Sequence, residues 1–155
     1  MADASKARPP KSLKARAIGY LARREYARAE LRDRLLATGA VPDEVDPVLD
    51  ELAAQGYLSD ARFAQALVRQ KQGAYSRRSL AQTLKAKGVA GEVATEALAG
   101  ADADDATTMV ALWRRRFGQA PADDRARARQ VRFLQSRGFG LSAIFKLLRD
   151  PPADG

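Results

Sequence analysis

The stretch YARAELRDRLLATG occupies Tyr26–Gly39, and the stretch YSRRSLAQTLKAKG occupies Tyr75–Gly88. The two stretches place Tyr, Arg, Leu, Leu and Gly at matching positions, so the pair Leu31 and Leu35 recurs 49 residues later. Leucines at i and i+4 lie on one face of a helix, and a glycine after a basic last turn is typical of a helix C-terminus. The match predicts an internal repeat built around a basic amphipathic helix that ends at a glycine.

A third copy follows, because Gly138 lies 50 residues after Gly88 at the end of a helix predicted over residues 123–137. A further short helix follows each glycine, with apolar stripes at 45–52, 93–98 and 141–148, and the first and third stripes have apolar residues at i, i+3, i+4 and i+7. Another helix precedes each copy. We therefore predict an all-α fold of three tandem three-helix repeats that form an elongated, curved array, either right- or left-handed. The predicted segments are a flexible basic tail at 1–11, repeats at 12–59, 60–100 and 101–150, and a flexible tail at 151–155.

Capping residues and prolines predict where the helices begin. Pro47 fits a first turn better than a helix interior, so the helix that ends near Gln55 is expected to begin as late as Pro47. The candidate N-cap residues are Ser12, Asp60, Ser76, Asp105, Asp123 and Ser142. Aromatic residues on or beside apolar stripes are predicted to be core, namely Tyr20, Phe63, Trp113, Phe117, Phe133 and Phe145.

The composition excludes several classes of chemistry. The 155 residues include no Cys and no His, so the chain can form no disulfide, thiolate site or imidazole-based catalytic site. It has no GxxxxGK[ST] phosphate-binding loop, and Asp102, Asp104 and Asp105 are not followed by the Gly and Glu that a calcium loop requires. We predict no catalytic, metal-binding or cofactor-binding residues, and therefore no enzyme.

The apolar runs are far shorter than the roughly 20 residues of a membrane span, and the N-terminus has no apolar segment typical of a secretory signal. We expect a cytoplasmic protein that does not partner with a membrane.

Positive charge is distributed unevenly. The chain has 27 Lys and Arg against 19 Asp and Glu, a net charge of +8, but residues 40–60 carry six acidic and no basic side chains. A basic excess points to an acidic partner, which could be nucleic acid, a protein–nucleic acid assembly or an anionic membrane face. Arg28 and Arg32 follow helical spacing, as do Arg125, Arg129 and Arg132, which predicts basic stripes opposite the apolar ones. If the units stack, these stripes form a long basic track.

Sixteen basic residues are therefore candidates for binding a partner or nucleic acid, although for any one of them alone a solvated or salt-bridged side chain is the simpler interpretation. They are Arg23, Arg24, Arg28, Arg32, Arg62, Arg69, Lys71, Arg77, Arg78, Arg114, Arg115, Arg116, Arg125, Arg129, Arg132 and Arg137.

Three motifs resemble the RecX family of bacterial regulatory proteins. Leu21–Leu31, LARREYARAEL, resembles the family pattern LxRRxxSRxEL, with Ala27 in the place of the frequent Ser. Gly56–Ala64, GYLSDARFA, resembles GYLDDxRFA, and Gln135–Phe139, QSRGF, resembles the terminal xxRGF pattern. The resemblance extends over residues 15–149, and the three motifs occur in the family's order.

The resemblance implies that the chain binds the RecA recombinase and the filament that RecA forms on single-stranded DNA. Such proteins suppress filament growth, ATP hydrolysis, strand exchange and co-protease activity, and so modulate recombination, DNA repair and the SOS response. The resemblance also implies direct DNA binding and no enzymatic activity, and we expect a monomer. The alternative is an autonomous helical nucleic-acid-binding module, which would bind nucleic acid without RecA and form no complex with RecA alone.

Overall fold

The computed structural model describes residues 11–101 and 103–153, and these contain nine α-helices and no β-strand. In chain order the helices are α1 (Leu13–Arg23), α2 (Arg28–Leu36), α3 (Pro42–Ala54), α4 (Asp60–Lys71), α5 (Arg77–Ala86), α6 (Gly91–Ala99), α7 (Asp105–Arg116), α8 (Asp124–Ser136) and α9 (Leu141–Arg149). The all-α prediction is confirmed. The chain divides between Phe63 and Ala64 into two compact units, and α4 crosses this division. Of the predicted flexible tails at 1–11 and 151–155, residues 1–10 and 154–155 lie outside the described residues.

A glycine with positive φ follows α2, α5 and α8, as the repeat predicts. The φ angle is +98° at Gly39, +82° at Gly88 and +94° at Gly138, a region that glycine adopts without steric cost. Each glycine N–H donates to the carbonyl three residues earlier, at 2.9 to 3.0 Å. The apolar residues after the second and third glycines, Val89 and Phe139, are buried and anchor the turns.

The first unit encloses a core of aliphatic side chains from α2 and α3. Leu31 and Leu35 of α2 and Val45, Leu49 and Leu52 of α3 are fully buried. Full burial of one such side chain stabilises the fold by about 1.5–3 kcal/mol. Packing of these two apolar stripes therefore holds α2 against α3.

The prediction that this helix begins at Pro47 is wrong, because α3 begins at Pro42 and continues through Pro47. Pro42 occupies the first turn, where a missing N–H costs nothing. Pro47 deprives the Asp43 carbonyl of its usual helical hydrogen bond, a cost of about 3 kcal/mol. Only a helix that starts before Val45 can bury Val45 and Leu49 on one face, and this burial outweighs that cost.

The core of the second unit includes Met109, Leu112 and Trp113 from α7 and Ile144 from α9. The Trp113 indole N–H donates to Gln130 Oε1 at 2.9 Å, so this buried polar pair is satisfied. The side chains that complete this core are Leu134, Phe139, Leu147 and Leu148.

The aromatic residues that were predicted to be core differ in how deeply they are buried. Phe63 and Trp113 are buried, whereas Tyr20, Phe117 and Phe133 are half-buried. Phe145 was predicted in the core but is 38% exposed, because α9 turns Ile144, Leu147 and Leu148 inward and leaves the next position at the edge of that face.

Two carboxylates that were predicted to cap their own helices instead cap an earlier helix. Asp60 Oδ1 accepts a hydrogen bond from the backbone N–H of Arg28, the first residue of α2, at 2.8 Å. Asp105 Oδ1 accepts one from the N–H of Arg77, the first residue of α5, at 2.9 Å. Each carboxylate thus joins the start of one helix to the start of the helix two places before it.

The helices that begin with these carboxylates use the preceding residue as their N-cap. Ser59 Oγ accepts from the N–H of Arg62 at 3.2 Å, and Asp104 Oδ1 accepts from the N–H of Thr107 at 2.8 Å. The bond from the Thr107 N–H lowers the pKa of Asp104. Of the other predicted N-caps, Ser12, Ser76 and Asp123 are confirmed. Ser142 is wrong, since α9 starts at Leu141 after Gly140.

Candidate binding surface

The arginines of α2 face the acidic side chains of α3. Arg28 Nη2 lies 2.6 Å from Asp50 Oδ1, and Arg32 Nε donates to Asp46 Oδ1 at 2.8 Å. The hydrogen bond from Arg32 lowers the pKa of Asp46, and the same bond raises the pKa of Arg32. The basic stripe of α2 is therefore neutralised inside the first unit by the acidic stretch that the sequence shows at residues 40–60.

The spacing contains a signal for these pairs that the sequence analysis missed. Arg28 and Arg32 are four residues apart, and so are Asp46 and Asp50. When two helices run antiparallel, the first residue of one pair meets the second residue of the other. The observed partners follow this order, so equal i, i+4 spacing of opposite charges on consecutive helices indicates an internal ion-pair ladder.

Two further candidate arginines in the first unit are also paired. The two terminal nitrogens of Arg24 donate to the two carboxylate oxygens of Glu30, at 3.0 and 3.1 Å, and this bond raises the pKa of Arg24. Arg62 Nε pairs with Glu25 at 2.9 Å. Arg23 is exposed, and its guanidinium forms no hydrogen bond, ion pair or ring contact with a described residue.

The net positive charge is concentrated in the second unit. The chain through residue 63 carries 11 basic and 10 acidic side chains, whereas the chain from residue 64 carries 16 basic and nine acidic ones. Eleven of the candidate residues lie in the second unit, and none of them forms an ion pair with a described carboxylate of that unit. The positive charge of these eleven residues is therefore not compensated by ion pairing.

Three exposed arginines lie along one side of α8. Arg125, Arg129 and Arg132 are on the side opposite Gln130 and Leu134, which are buried. Their guanidinium groups form no hydrogen bond, ion pair or ring contact with a residue in 11–101 or 103–153. From Arg125 to Arg132 the helix rises by about 10 Å, so the three charges form a short cationic row.

Three other candidate arginines donate to backbone carbonyls of the second unit. The donor–acceptor pairs are Arg77 Nη1 with Leu98 O at 3.0 Å, Arg114 Nη2 with Ala153 O at 3.2 Å, and Arg115 Nη2 with Gly73 O at 2.8 Å. Such bonds leave the positive charge in place while fixing the side chain. The spacing of residues in the sequence does not predict these hydrogen bonds, because the acceptors are backbone carbonyl oxygens.

Three cations surround two aromatic rings where the ends of α4, α7 and α8 meet. Lys71 Nζ lies 5.1 Å from the ring centroid of Tyr75, and Arg137 Cζ lies 4.7 Å from the same centroid. Arg137 Cζ is also 5.1 Å from the ring centroid of Phe133, which has Arg116 Cζ at 5.0 Å. We call these five residues the cation–ring cluster. The sequence marked the three cations as candidates but gave no sign that two rings bring them together.

The last two candidates are exposed. Arg69 lies in the last turn of α4. Arg78 lines an open groove of about 380 Å³ between α5 and the turn from α8 to α9, with Gln82, Gln135 and Leu141 among its other lining residues. Neither guanidinium makes an ion pair with a described residue of the second unit.

The described residues form neither a metal site nor a membrane-spanning helix. Across residues 11–101 and 103–153, no group of three or more acidic, His or Cys side chains is placed to hold a metal ion. In the same part of the chain, no helix combines the length and the apolar character needed to cross a membrane.

Comparison with known proteins gives a consistent match over most of the chain. Residues 14–52, 59–98 and 103–148 match family models for the first, second and third three-helix domains of RecX. The regulatory protein RecX of Ralstonia pickettii is 42% identical over 141 residues, covering 91% of this chain and 89% of the relative. That of Leptothrix cholodnii is 43% identical over 142 residues, covering 92% and 90%. The crystal structure of RecX from Lactobacillus salivarius superposes with a TM-score of 0.70 at 19% identity, covering 89% of this chain and 93% of that one, and so shares the fold.

Proposed function

This chain belongs to the RecX family of regulatory proteins, and we propose that it binds RecA and the filament that RecA forms on single-stranded DNA. Through this binding it inhibits or modulates the recombinase, ATPase and co-protease activities of RecA in the cytoplasm. It acts by binding rather than by catalysis. It also contacts DNA directly through arginine-rich helix faces.

The observation that carries the DNA contact is the unpaired charge of the second unit. Four of the five candidate arginines of the first unit form ion pairs with carboxylates of that unit. None of the eleven candidates of the second unit pairs with a carboxylate of its own unit in the described residues. An arginine that is already paired must break that pair before it can neutralise a phosphate. We therefore place the direct DNA contact on the second unit, above all on Arg125, Arg129 and Arg132.

A RecA assay tests the regulatory proposal. Purified protein is added to RecA on single-stranded DNA, and ATP hydrolysis and strand exchange are followed at increasing ratios of the two proteins. We expect inhibition below the concentration at which the protein covers the free DNA. Inhibition that disappears when excess single-stranded DNA is supplied would mean that the protein only sequesters DNA, and would contradict the proposal.

The alternative of an autonomous nucleic-acid-binding module is favoured by the same unpaired charge, because that charge needs no RecA to attract a polyanion. The two functions differ in the complex formed with RecA in the absence of DNA. Sedimentation of RecA with this chain, without nucleic acid, separates them. A stable complex supports the RecA regulator, whereas its absence together with tight, salt-sensitive DNA binding supports the module.

A further inference from the structure

The cation–ring cluster brings like charges close together, and none of its cations forms an ion pair with a described carboxylate. The distance from each cation to a shared ring centroid is about 5 Å, so Arg137 lies within about 10 Å of both Lys71 and Arg116. This upper limit is close to the Debye length of about 8 Å at physiological salt, so salt screens the repulsion among the charges only in part. Arg115 adds a fourth charge beside them, held on the carbonyl of Gly73. The cluster is therefore a place where an anion lowers the electrostatic energy.

The ends of the helices account for only part of this charge. Lys71 and Arg116 are the last residues of α4 and α7, and Arg137 is the C-cap of α8. A helix C-terminus carries roughly half a negative charge, so three of them supply about 1.5 negative charges. The four cations, including Arg115, carry four positive charges, which exceed the negative charge of the helix ends by about 2.5. Helix capping alone therefore does not explain the cluster.

The rings of Tyr75 and Phe133 also hold the side chains of the three cations in place. Lys71 and Arg137 are half-buried and Arg116 is exposed, so the three charged groups are accessible while their side chains rest on Tyr75 and Phe133. A cation held over a ring loses less conformational entropy when it binds a ligand than a free lysine or arginine does. This is the arrangement expected of a preorganised site.

We propose that the cation–ring cluster is a phosphate-binding clamp in which Lys71, Arg116 and Arg137 bind successive phosphates of a phosphodiester backbone, with Arg115 as a fourth cation. Arginine suits this role because its planar group bonds phosphate oxygens in a bidentate manner. The inference deepens the DNA contact proposed above and rests on it, but it does not depend on RecA.

The clamp contacts the backbone and not the bases. The ring centroids of Tyr75 and Phe133 each have two cations about 5 Å away, and Phe133 also packs edge-on against Phe117, so we expect these rings to hold cations and not to stack on bases. Binding at the clamp should therefore be equal for a normal single strand and for an abasic strand of the same length.

The test measures binding without RecA, by fluorescence anisotropy of a short labelled oligothymidylate and of an abasic strand of equal length. Tyr75→Leu removes a ring but no charge, and we expect it to weaken binding of both strands roughly tenfold because two side chains must then be ordered on binding. Tyr75→Phe keeps the ring and should bind like the wild type. Arg116→Gln, an exposed change that leaves the core intact, should weaken binding to a similar extent.

Arg149→Gln is the matched control, because it removes the same charge from an exposed helix end outside the cluster. Equal losses in Arg116→Gln and Arg149→Gln, or wild-type binding by both Tyr75→Leu and Arg116→Gln, would overturn the proposal. Much weaker binding of the abasic strand by the wild type would also overturn it. Inorganic triphosphate is added as a competitor in a separate arm. Competition that is lost in Arg116→Gln supports a phosphate site even if both strands bind weakly, and then identifies a free polyphosphate as the ligand.

Discussion

Gly138 and Gly39 have nearly the same backbone conformation but different surroundings, which makes them a matched pair. At Gly138 a Cβ atom would overlap Ser76 Oγ and lie 2.6 Å from Ser79 Cβ, whereas at Gly39 nothing lies within 4 Å. We expect Gly39→Ala to cost about 1–2 kcal/mol from the positive φ alone. Gly138→Ala should cost about 1–3 kcal/mol more, because the turn must move away from α5. Urea unfolding of both variants measures this difference, and equal losses would show that the contact with α5 is unimportant.

The carboxylates of Asp60 and Asp105 each cap a helix to which they do not belong, and Ala27 at the start of α2 has no side-chain oxygen of its own. Asp60→Ala should therefore lower the free energy of unfolding by about 1 kcal/mol, which is about 2–4 °C in a thermal melt. Asp60→Asn keeps an oxygen that can accept from the Arg28 N–H and should lose less. If the two variants have the same melting temperature, Asp60 stabilises the fold through its charge and not through capping of α2.

At the scale of elements, the ion pairs between α2 and α3 predict a particular response to acid. The hydrogen bond from Arg32 lowers the pKa of Asp46 in the folded state. The pair therefore makes its full contribution to stability at pH values above the range in which unperturbed carboxyl groups titrate. That contribution is lost as the pH falls through the lowered pKa. Urea unfolding from pH 7 down into the acid range should show a shallower loss of stability for Asp46→Asn than for the wild type. Equal slopes for Asp46→Asn and the wild type would mean that the Asp46–Arg32 pair does not contribute to stability.

The helices and their order could be predicted from the sequence because burial of apolar residues leaves a periodic pattern. Leu31, Leu35, Leu80 and Leu84 were recognised in this way and are buried. The start of α3 could not be predicted from the sequence. The sequence shows that Pro47 removes a helical hydrogen bond, but it does not show that burial of Val45 and Leu49 outweighs this cost. Likewise, no pattern showed that Arg137 packs between two rings, since its partners Tyr75 and Phe133 lie on different helices or turns.

At the scale of the whole molecule, the first and second units should differ in their contribution to DNA binding. Arg28→Gln/Arg32→Gln and Arg125→Gln/Arg129→Gln each remove two positive charges, but the first pair of arginines is ion-paired and the second is not. We expect the α8 variant to lose affinity for single-stranded DNA. The slope of log affinity against log salt concentration should become less steep by about 1.4, because each lost phosphate contact removes roughly 0.7. The α2 variant should bind nearly as the wild type does. Titrations at several salt concentrations measure both, and equal losses would mean that net charge alone governs binding.

Charge reversal at Arg125, Arg129 and Arg132 together should weaken partner binding more than it changes helicity, because their guanidinium groups form no hydrogen bond, ion pair or ring contact with a described residue. Circular dichroism and binding assays on the same protein provide the two measurements. Parallel losses in both would show that the three arginines stabilise the fold instead.

The cap that Asp60 places on α2 has a practical consequence for cutting the chain into pieces. A fragment truncated after Ser59, where the repeat pattern suggests a clean end, would leave the Arg28 amide without its acceptor, whereas one extended to Lys71 would retain it. The same holds for a fragment that stops at Gly100 and so omits Asp105. The first and second repeats thus each receive a helix-capping oxygen from the repeat that follows, and either one is best expressed with the first helix of its neighbour attached.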